Sequence, residues 1–387
     1  MFPHLTGWAH TPFGTSDTPV ETLIARVAAD AVADAGLDYG AIDFVSVGVY
    51  NNGFSAQGFE SALVGAGIPD LAHVPAQRVE NACATGSAAL FAAADRIDAG
   101  LAQAALVIGA ERMSGTPPEQ VNEILLTACH RRTELAHGSF AGIFAHLADL
   151  YAKRYGDPRE AMAAIAAKNH RNGVDNPLAH FRRDLGVRFC GTESERNPLV
   201  AAPLLRTDCA PISDGAAALV VTSASVAATA RRAVVLRSRA QCNDHLALAS
   251  RRDALAFDGA AAAFQHTLSR AGIAAADLDL LETHDCFTIA ELLQMEAFGL
   301  AEPGQGTDLV LSGATHRDGV LPVNVSGGLK AKGHPLGATG VSQHVMAAMQ
   351  IAGEAGDMQL PHVEHAAVFN MGGAAVANYA TVLQAAQ

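Results

Sequence analysis

Two α/β halves related by an internal duplication, with a helix-and-loop subdomain inserted between them, form the architecture that the sequence predicts. Three segments that recur in one order predict the halves. A charged stretch between them, punctuated by Gly and Pro, predicts the insertion. The chain has 387 residues, half of them apolar, with 17% charged and 5% aromatic. That balance suits a large, Ala-rich core built from more than one domain-sized unit.

The first repeated segment is a helix end, turn and strand. Val20, Leu23, Ile24 and Val27 form an apolar stripe after Thr18-Pro19, and Ala35-Gly36-Leu37 stops that helix ahead of the strand Ile42-Asp43-Phe44-Val45. The same pattern returns as a helix over Leu255 to Leu268, then Ala271-Gly272-Ile273 and the strand Leu278-Asp279-Leu280-Leu281. Next, Ala84-Thr85-Gly86 opens an Ala-rich helix, as does Ala338-Thr339-Gly340. Last, Ala104-Ala105-Leu106-Val107-Ile108-Gly109 and Ala366-Ala367-Val368-Phe369-Asn370-Met371 both read as short buried strands. Alternating strands and helices predict parallel pairing with helices on both faces. The halves are expected over 1–115 and 210–387, with the inserted subdomain over 116–209, where YGDPRE and HRNGVDNPLAHFRR occur.

Charge and cysteine usage narrow the function. The formal net charge is −13, and no Lys/Arg cluster could neutralise a row of phosphates, so nucleic acid is disfavoured as a partner. Six scattered cysteines without a CxxC pair suggest a reducing, cytoplasmic setting rather than a disulfide framework or a zinc site. The N-terminus has no secretory pattern, no run of about 18 apolar residues suggests a membrane span, and LQAAQ is no peroxisomal address.

Four segments carry candidate chemistry. Asn81-Ala82-Cys83-Ala84-Thr85-Gly86-Ser87 puts Cys83 at a helix start, where the macrodipole and free N–H groups favour a thiolate nucleophile. At the equivalent place in the second half, Gly333-His334-Pro335-Leu336-Gly337 offers His334 as a base for that thiol. Thr283-His284-Asp285-Cys286-Phe287 follows a strand and adds His284 and Cys286; it lacks a matching ligand pair, so no metal is expected. Asn370-Met371-Gly372-Gly373 closes the last repeated strand with glycines that let backbone N–H groups approach an oxyanion.

The set NACATG, HDCF, GHPLGATG and NMGG, in this order, resembles the thiolase superfamily over nearly the whole chain. Gly109-Ala110-Glu111-Arg112-Met113-Ser114, Asn176-Pro177-Leu178-Ala179-His180 and the segment Asp208 to Ala216 add to it. HDCF is similar to the sterol-carrier-protein-2 type, whereas the common type has Asn-Glu-Ala-Phe there. The resemblance implies a five-layer αβαβα fold and coenzyme A thioesters as substrates, with no cofactor. It also implies that Cys83 is acylated, that His334 activates it, that His284 helps form one oxyanion hole, and that the N–H groups of Cys83 and Gly372 form another. Common thiolases carry their acid/base cysteine at the position of Asn370, so Cys286 is expected to take that task.

The activity implied is an acyltransferase of lipid metabolism, most simply acetyl-CoA C-acetyltransferase. A β-ketoacyl synthase could use Cys83, His284 and His334, but decarboxylative condensation gives Cys286 no task. A third reading is a thiolase-like subunit acting with a small OB-fold partner. A homodimer or homotetramer is expected from the resemblance and the abundance of small apolar residues. Arg131, Arg132, Arg182 and Arg183 are candidate contacts for the phosphates of coenzyme A.

Overall fold

The computed structural model describes residues 2–386. Its main sheet has nine strands: β1 His4–His10, β2 Phe44–Gly48, β3 Ala76–Val79, β4 Ala104–Glu111, β5 Gly215–Thr222, β6 Val234–Asn243, β7 Leu280–Glu282, β8 His365–Gly372 and β9 Ala377–Ala385. Their spatial order is β3-β2-β4-β5-β1-β6-β9-β8-β7. Outward from the centre, β1, β5, β4, β2 and β3 on one side are mirrored by β6, β9, β8 and β7 on the other. There the parallel bridge between Leu281 and Val323 stands where β3 does in the first half. In the sheet the sides are paired through His4–Val235 and Leu5–Val234.

Within each side one strand, β5 or β9, runs against the others, and β1 and β6 meet antiparallel where the sides join. Alternation of strand and helix predicted parallel pairs only. The difference at β9 arises because a short turn returns the chain directly from β8, and a hairpin is necessarily antiparallel. β5 also corrects the expected boundary at 209/210. Gly215–Thr222 hydrogen-bonds to β1 and β4, so the first half resumes after the insertion.

Seven helices position the site: α1 Val20–Asp34, α2 Thr85–Asp98, α3 Phe140–Tyr155, α4 Arg159–Val174, α5 Asp258–Ala271, α6 Thr288–Ala297 and α7 Leu336–Ala352. Gly36 and Gly272, at φ 67° and 73°, end the equivalent helices α1 and α5, as the repeated Ala-Gly pattern requires. Val20, Leu23, Ile24 and Val27 bury α1 against the first half, and Phe264 and Leu268 bury α5 against the second. α2 and α7 fill the layer between. A Cβ on Gly86 would lie 2.7 Å from the Val341 nitrogen, and one on Gly340 only 2.3 Å from that of Ser87, so the two helices touch through backbone. α7 is buried continuously from Leu336 to Ala348, as a helix enclosed on both sides must be. Helix, sheet, helix pair, sheet and helix give five layers. No helix among the described residues is long and apolar enough to cross a membrane.

Candidate active site

Cys83 follows β3 and stands one residue ahead of Ala84, the N-cap of α2. The Thr85 hydroxyl locks this elbow: it accepts from the Asn81 N–H at 2.8 Å and donates to the Ala82 carbonyl at 2.6 Å. Ala82 takes φ 50°, a left-handed conformation costing about 1–2 kcal/mol for an L-residue. Gly372, at the end of β8, lies so close that a Cβ there would be 2.3 Å from the Asn81 carbonyl oxygen.

The Cys83 sulfur and one ring nitrogen each of His284 and His334 lie within 4.8 Å of one another, all buried. His284 leaves β7 and His334 precedes α7, and their rings meet edge-to-face at 5.0 Å. The duplication therefore brings the Cys83 and His334 loops together, as expected. A Cys/His/His set does arise, against the expectation that ligand partners are lacking. It excludes Asp285, whose carboxylate accepts from the backbone N–H groups of Leu329 (2.6 Å) and Lys330 (3.1 Å) and from Asn169 Nδ2 (2.7 Å). Asp285 thereby ties α4 to the segment Gly328–Lys332 that leads to His334.

Hydrogen bonds decide which nitrogen of His334 is basic. The Thr339 hydroxyl donates to the Pro335 carbonyl at 2.9 Å and lies 2.7 Å from His334 Nδ1. With its one proton committed, that oxygen accepts from Nδ1–H, and Nε2 carries the lone pair. Burial, helped by the nearby Lys332 ammonium, lowers the His334 pKa to about 3. Lys332 is itself buried, donates to Ser342 Oγ at 2.8 Å and is lowered to about 8 by burial despite the Glu282 carboxylate.

The thiols are equally dry. Burial pushes Cys83 up to about 12, although the N–H groups of Gly373 and of Cys83 itself favour its thiolate. A helix start by itself favours a thiolate, and here desolvation outweighs it. The amide that reaches the sulfur is that of Gly373, in a turn with φ 65°. Cys286 is raised well above its ordinary value by burial first, then by Cys83 and Asp285, whose influence places all three in one electrostatic neighbourhood. Beside it, Phe287 stacks on Phe144 of α3 with ring centroids 4.4 Å apart. Of the candidate arginines, Arg131 pairs with Glu123 at 3.4 Å and Arg182 holds the Val174 carbonyl; Arg132 and Arg183 are exposed.

Thr339, Asp285, Asn370 and Lys332 are the polar residues whose tasks the motifs alone did not disclose. Thr339 had a usable signal, since it lies in the first turn of α7, five residues after His334.

The family model for the thiolase N-terminal domain matches residues 5–225, and that for the thiolase C-terminal domain-like family matches 240–385. An acetyl-CoA acetyltransferase of Methanothermobacter thermautotrophicus is 35% identical over 371 residues, covering 95% of each chain. Human sterol carrier protein 2 is 33% identical over 359 residues, which is 88% of this chain and 64% of that protein. A solved structure described as "Ltp2-ChsH2(DUF35) aldolase" superposes with a TM-score of 0.84 over 99% of this chain and 98% of the other at 20% identity, a likeness of fold. Matched along both halves, the chain belongs to the thiolase family and is an acyltransferase.

Proposed function

We propose that the protein is an acetyl-CoA C-acetyltransferase that makes or cleaves a 3-ketoacyl-CoA through an acyl-Cys83 intermediate. The observation that carries this reading is the buried Cys83, His284 and His334 set with Cys286 beside it. Acetyl-CoA acetyltransferases of Methanothermobacter thermautotrophicus and Methanocaldococcus jannaschii, 35% and 33% identical, support acetyl-CoA as the donor.

All four groups rest neutral, which sets the order of proton movements. The Cys83 sulfur attacks the thioester carbonyl as His334 Nε2 takes its proton, so no free Cys83 thiolate has to form ahead of the attack. The carbonyl oxygen becomes an oxyanion held by the N–H of Cys83 and the Gly372-Gly373 turn. The carbon–sulfur bond to coenzyme A then breaks, and the departing sulfur takes a proton from Cys286. Imidazolium and Cys286 thiolate remain. That thiolate removes the α-proton of a second acetyl-CoA, whose enolate oxygen is held by His284 and His334. The enolate carbon attacks acetyl-Cys83, and expulsion of its sulfur, reprotonated from His334, releases acetoacetyl-CoA and restores four neutral groups.

A β-ketoacyl synthase would leave Cys286 idle, and a non-catalytic subunit would leave the whole set idle. Acetyl-CoA added to the purified protein should give an acetyl adduct in intact mass spectra that is absent in Cys83→Ala. Thiolysis assayed across chain lengths should be fastest with acetoacetyl-CoA. An adduct persisting in Cys83→Ala, or turnover only with a malonyl thioester, would overturn this reading.

A homodimer is the proposed assembly, supported by the free outer edge of β3, which pairs only with β2 among the described residues. Light scattering near 40 kDa at working concentration would refute it. A small OB-fold protein is the proposed partner, supported by the ChsH2(DUF35) component named with the structural relative. The scattered cysteines support a cytoplasmic setting.

A further inference from the structure

We propose that Asn370 is a positioning residue that sets the tautomer of His284, making this histidine an oxyanion donor and denying it to a metal ion. This rests on the acyl-transfer reading above for its catalytic consequence, though not for the tautomer itself.

Asn370 sits near the end of β8, fully buried. Its Nδ2 lies 3.1 Å from the Cys83 carbonyl oxygen and 2.8 Å from His284 Nδ1. A carbonyl oxygen can only accept, so the amide must present its nitrogen on this side; turned over, two oxygens would face each other at that distance. Nδ2–H therefore donates to His284 Nδ1, which must carry a lone pair. Burial holds the ring neutral, with one proton, and that proton is on Nε2. Nε2 is buried without a hydrogen-bond partner among the described residues. An unpaired N–H of this kind is costly to bury, and its natural acceptor is an oxygen that becomes negative only during reaction. The last glycine of GATG makes room for this arrangement, since a Cβ on Gly340 would lie 2.4 Å from Asn370 Oδ1.

The two neighbouring imidazoles are thus opposite tautomers. Thr339 accepts from Nδ1 of His334 and leaves a base at Nε2; Asn370 donates to Nδ1 of His284 and leaves an acid there. One cysteine and two histidines within 4.8 Å would otherwise suit zinc, which needs a thiolate and a lone pair from each ring. Asn370 withholds one of those lone pairs.

Nitrogen NMR of histidine-labelled full-length protein, with His284 assigned by its loss in His284→Gln, reads the tautomer directly. The wild type should show a protonated Nε2 and a bare Nδ1, and Asn370→Asp should place a proton on Nδ1. A proton on Nδ1 in the wild type would overturn the proposal, whether or not either variant folds. In acetoacetyl-CoA thiolysis, Asn370→Leu should lower kcat by about 10²–10³, as for loss of one oxyanion donor, with KM changed by less than about threefold. An unchanged kcat in folded Asn370→Leu would also overturn it. Zinc chloride should inhibit Asn370→Leu at concentrations at least about tenfold lower than the wild type, and equal sensitivity would count against the metal-excluding half. A wild type with the stated tautomer but no turnover of any acyl-CoA would sink the proposed function and leave the tautomer assignment standing.

Discussion

The helix starts of α2 and α7 occupy equivalent places in the two halves, carry the same Ala-Thr-Gly triplet, and do opposite work. Gly86 and Gly340 perform one task in common, letting the two helices touch. The threonines part company. Thr85 binds only backbone and holds the elbow before Cys83, whereas Thr339 binds the imidazole of His334 and fixes its basic nitrogen. One start presents a nucleophile on a backbone turn, and the other presents a base on a side-chain hydrogen bond. Duplication supplies a place for chemistry, and the local hydrogen bonds assign the role.

The largest effects should come from removing either role outright. Cys83→Ala should abolish acetyl-enzyme and turnover together. His334→Ala should keep an intact Cys83 yet slow its acetylation by about 10²–10⁴, the usual contribution of one general base, in rapid-quench measurements. If the two variants were equally dead toward an activated acyl donor, the division between nucleophile and base would be wrong. Cys286→Ser sharpens the contrast further, because it should form acetyl-Cys83 normally and lose condensation by about 10²–10⁴. Condensation near the wild-type rate would assign the α-proton to another group.

The sequence made the repeated parts readable and the cross-connections obscure. Helix stops at Gly36 and Gly272, the strands over Ala104 and Ala366, and the Cys83 and His334 loops follow local patterns that recur, and repetition turns a weak pattern into a firm one. β5 escaped because its place between β1 and β4 depends on long-range pairing across the insertion. The resting state of Cys83 escaped for a related reason. A helix start is visible in the chain, but the desolvation that raises the thiol to about 12 comes from segments far apart, including Tyr50, Met113 and Leu336. The motif shows what Asn370 replaces, while its contacts with Cys83 and His284 exist only once both halves are packed.

Acid should expose a second difference between the halves. Burial lowers His10, His170 and His334 to about 3, His344 to about 4, and His284 well below the ordinary value. Their folded pKa values lie below 6.5, so their neutral forms stabilise the fold above that pH, and the contribution is lost as pH falls from 6.5 toward 3. Each such group costs about 1.4 kcal/mol per pH unit within that window. Glu111 and Asp285, raised by burial to about 7, act with the opposite sign between about 7 and the ordinary carboxyl range, but they are fewer. Thermal midpoints should therefore fall between pH 6.5 and 5. Hydrogen exchange should show loosening first around α7, which carries His344 and follows His334. A midpoint that rises over this range would mean the histidines are not buried neutral.

The smallest effects test the threonines themselves. Thr339→Val removes the acceptor for His334 Nδ1–H at nearly constant volume, so the ring loses its orientation and its tautomer preference. One hydrogen bond of about 1–1.5 kcal/mol corresponds to a drop of roughly tenfold in the acetylation rate. Thr85→Val removes a donor and an acceptor from the backbone of the elbow, leaving the Asn81 N–H and the Ala82 carbonyl without the hydroxyl that joins them. Its cost of about 1–3 kcal/mol should appear mainly as a lowered thermal midpoint, because the left-handed turn at Ala82 has lost its brace. The discriminating measurement is the pair of ratios, acetylation rate against midpoint, in the two variants. Thr339→Val should lie toward rate and Thr85→Val toward stability. If both moved along one line, the two triplets would be doing the same job, and the assignment of roles would have to lie in Cys83 and His334 alone.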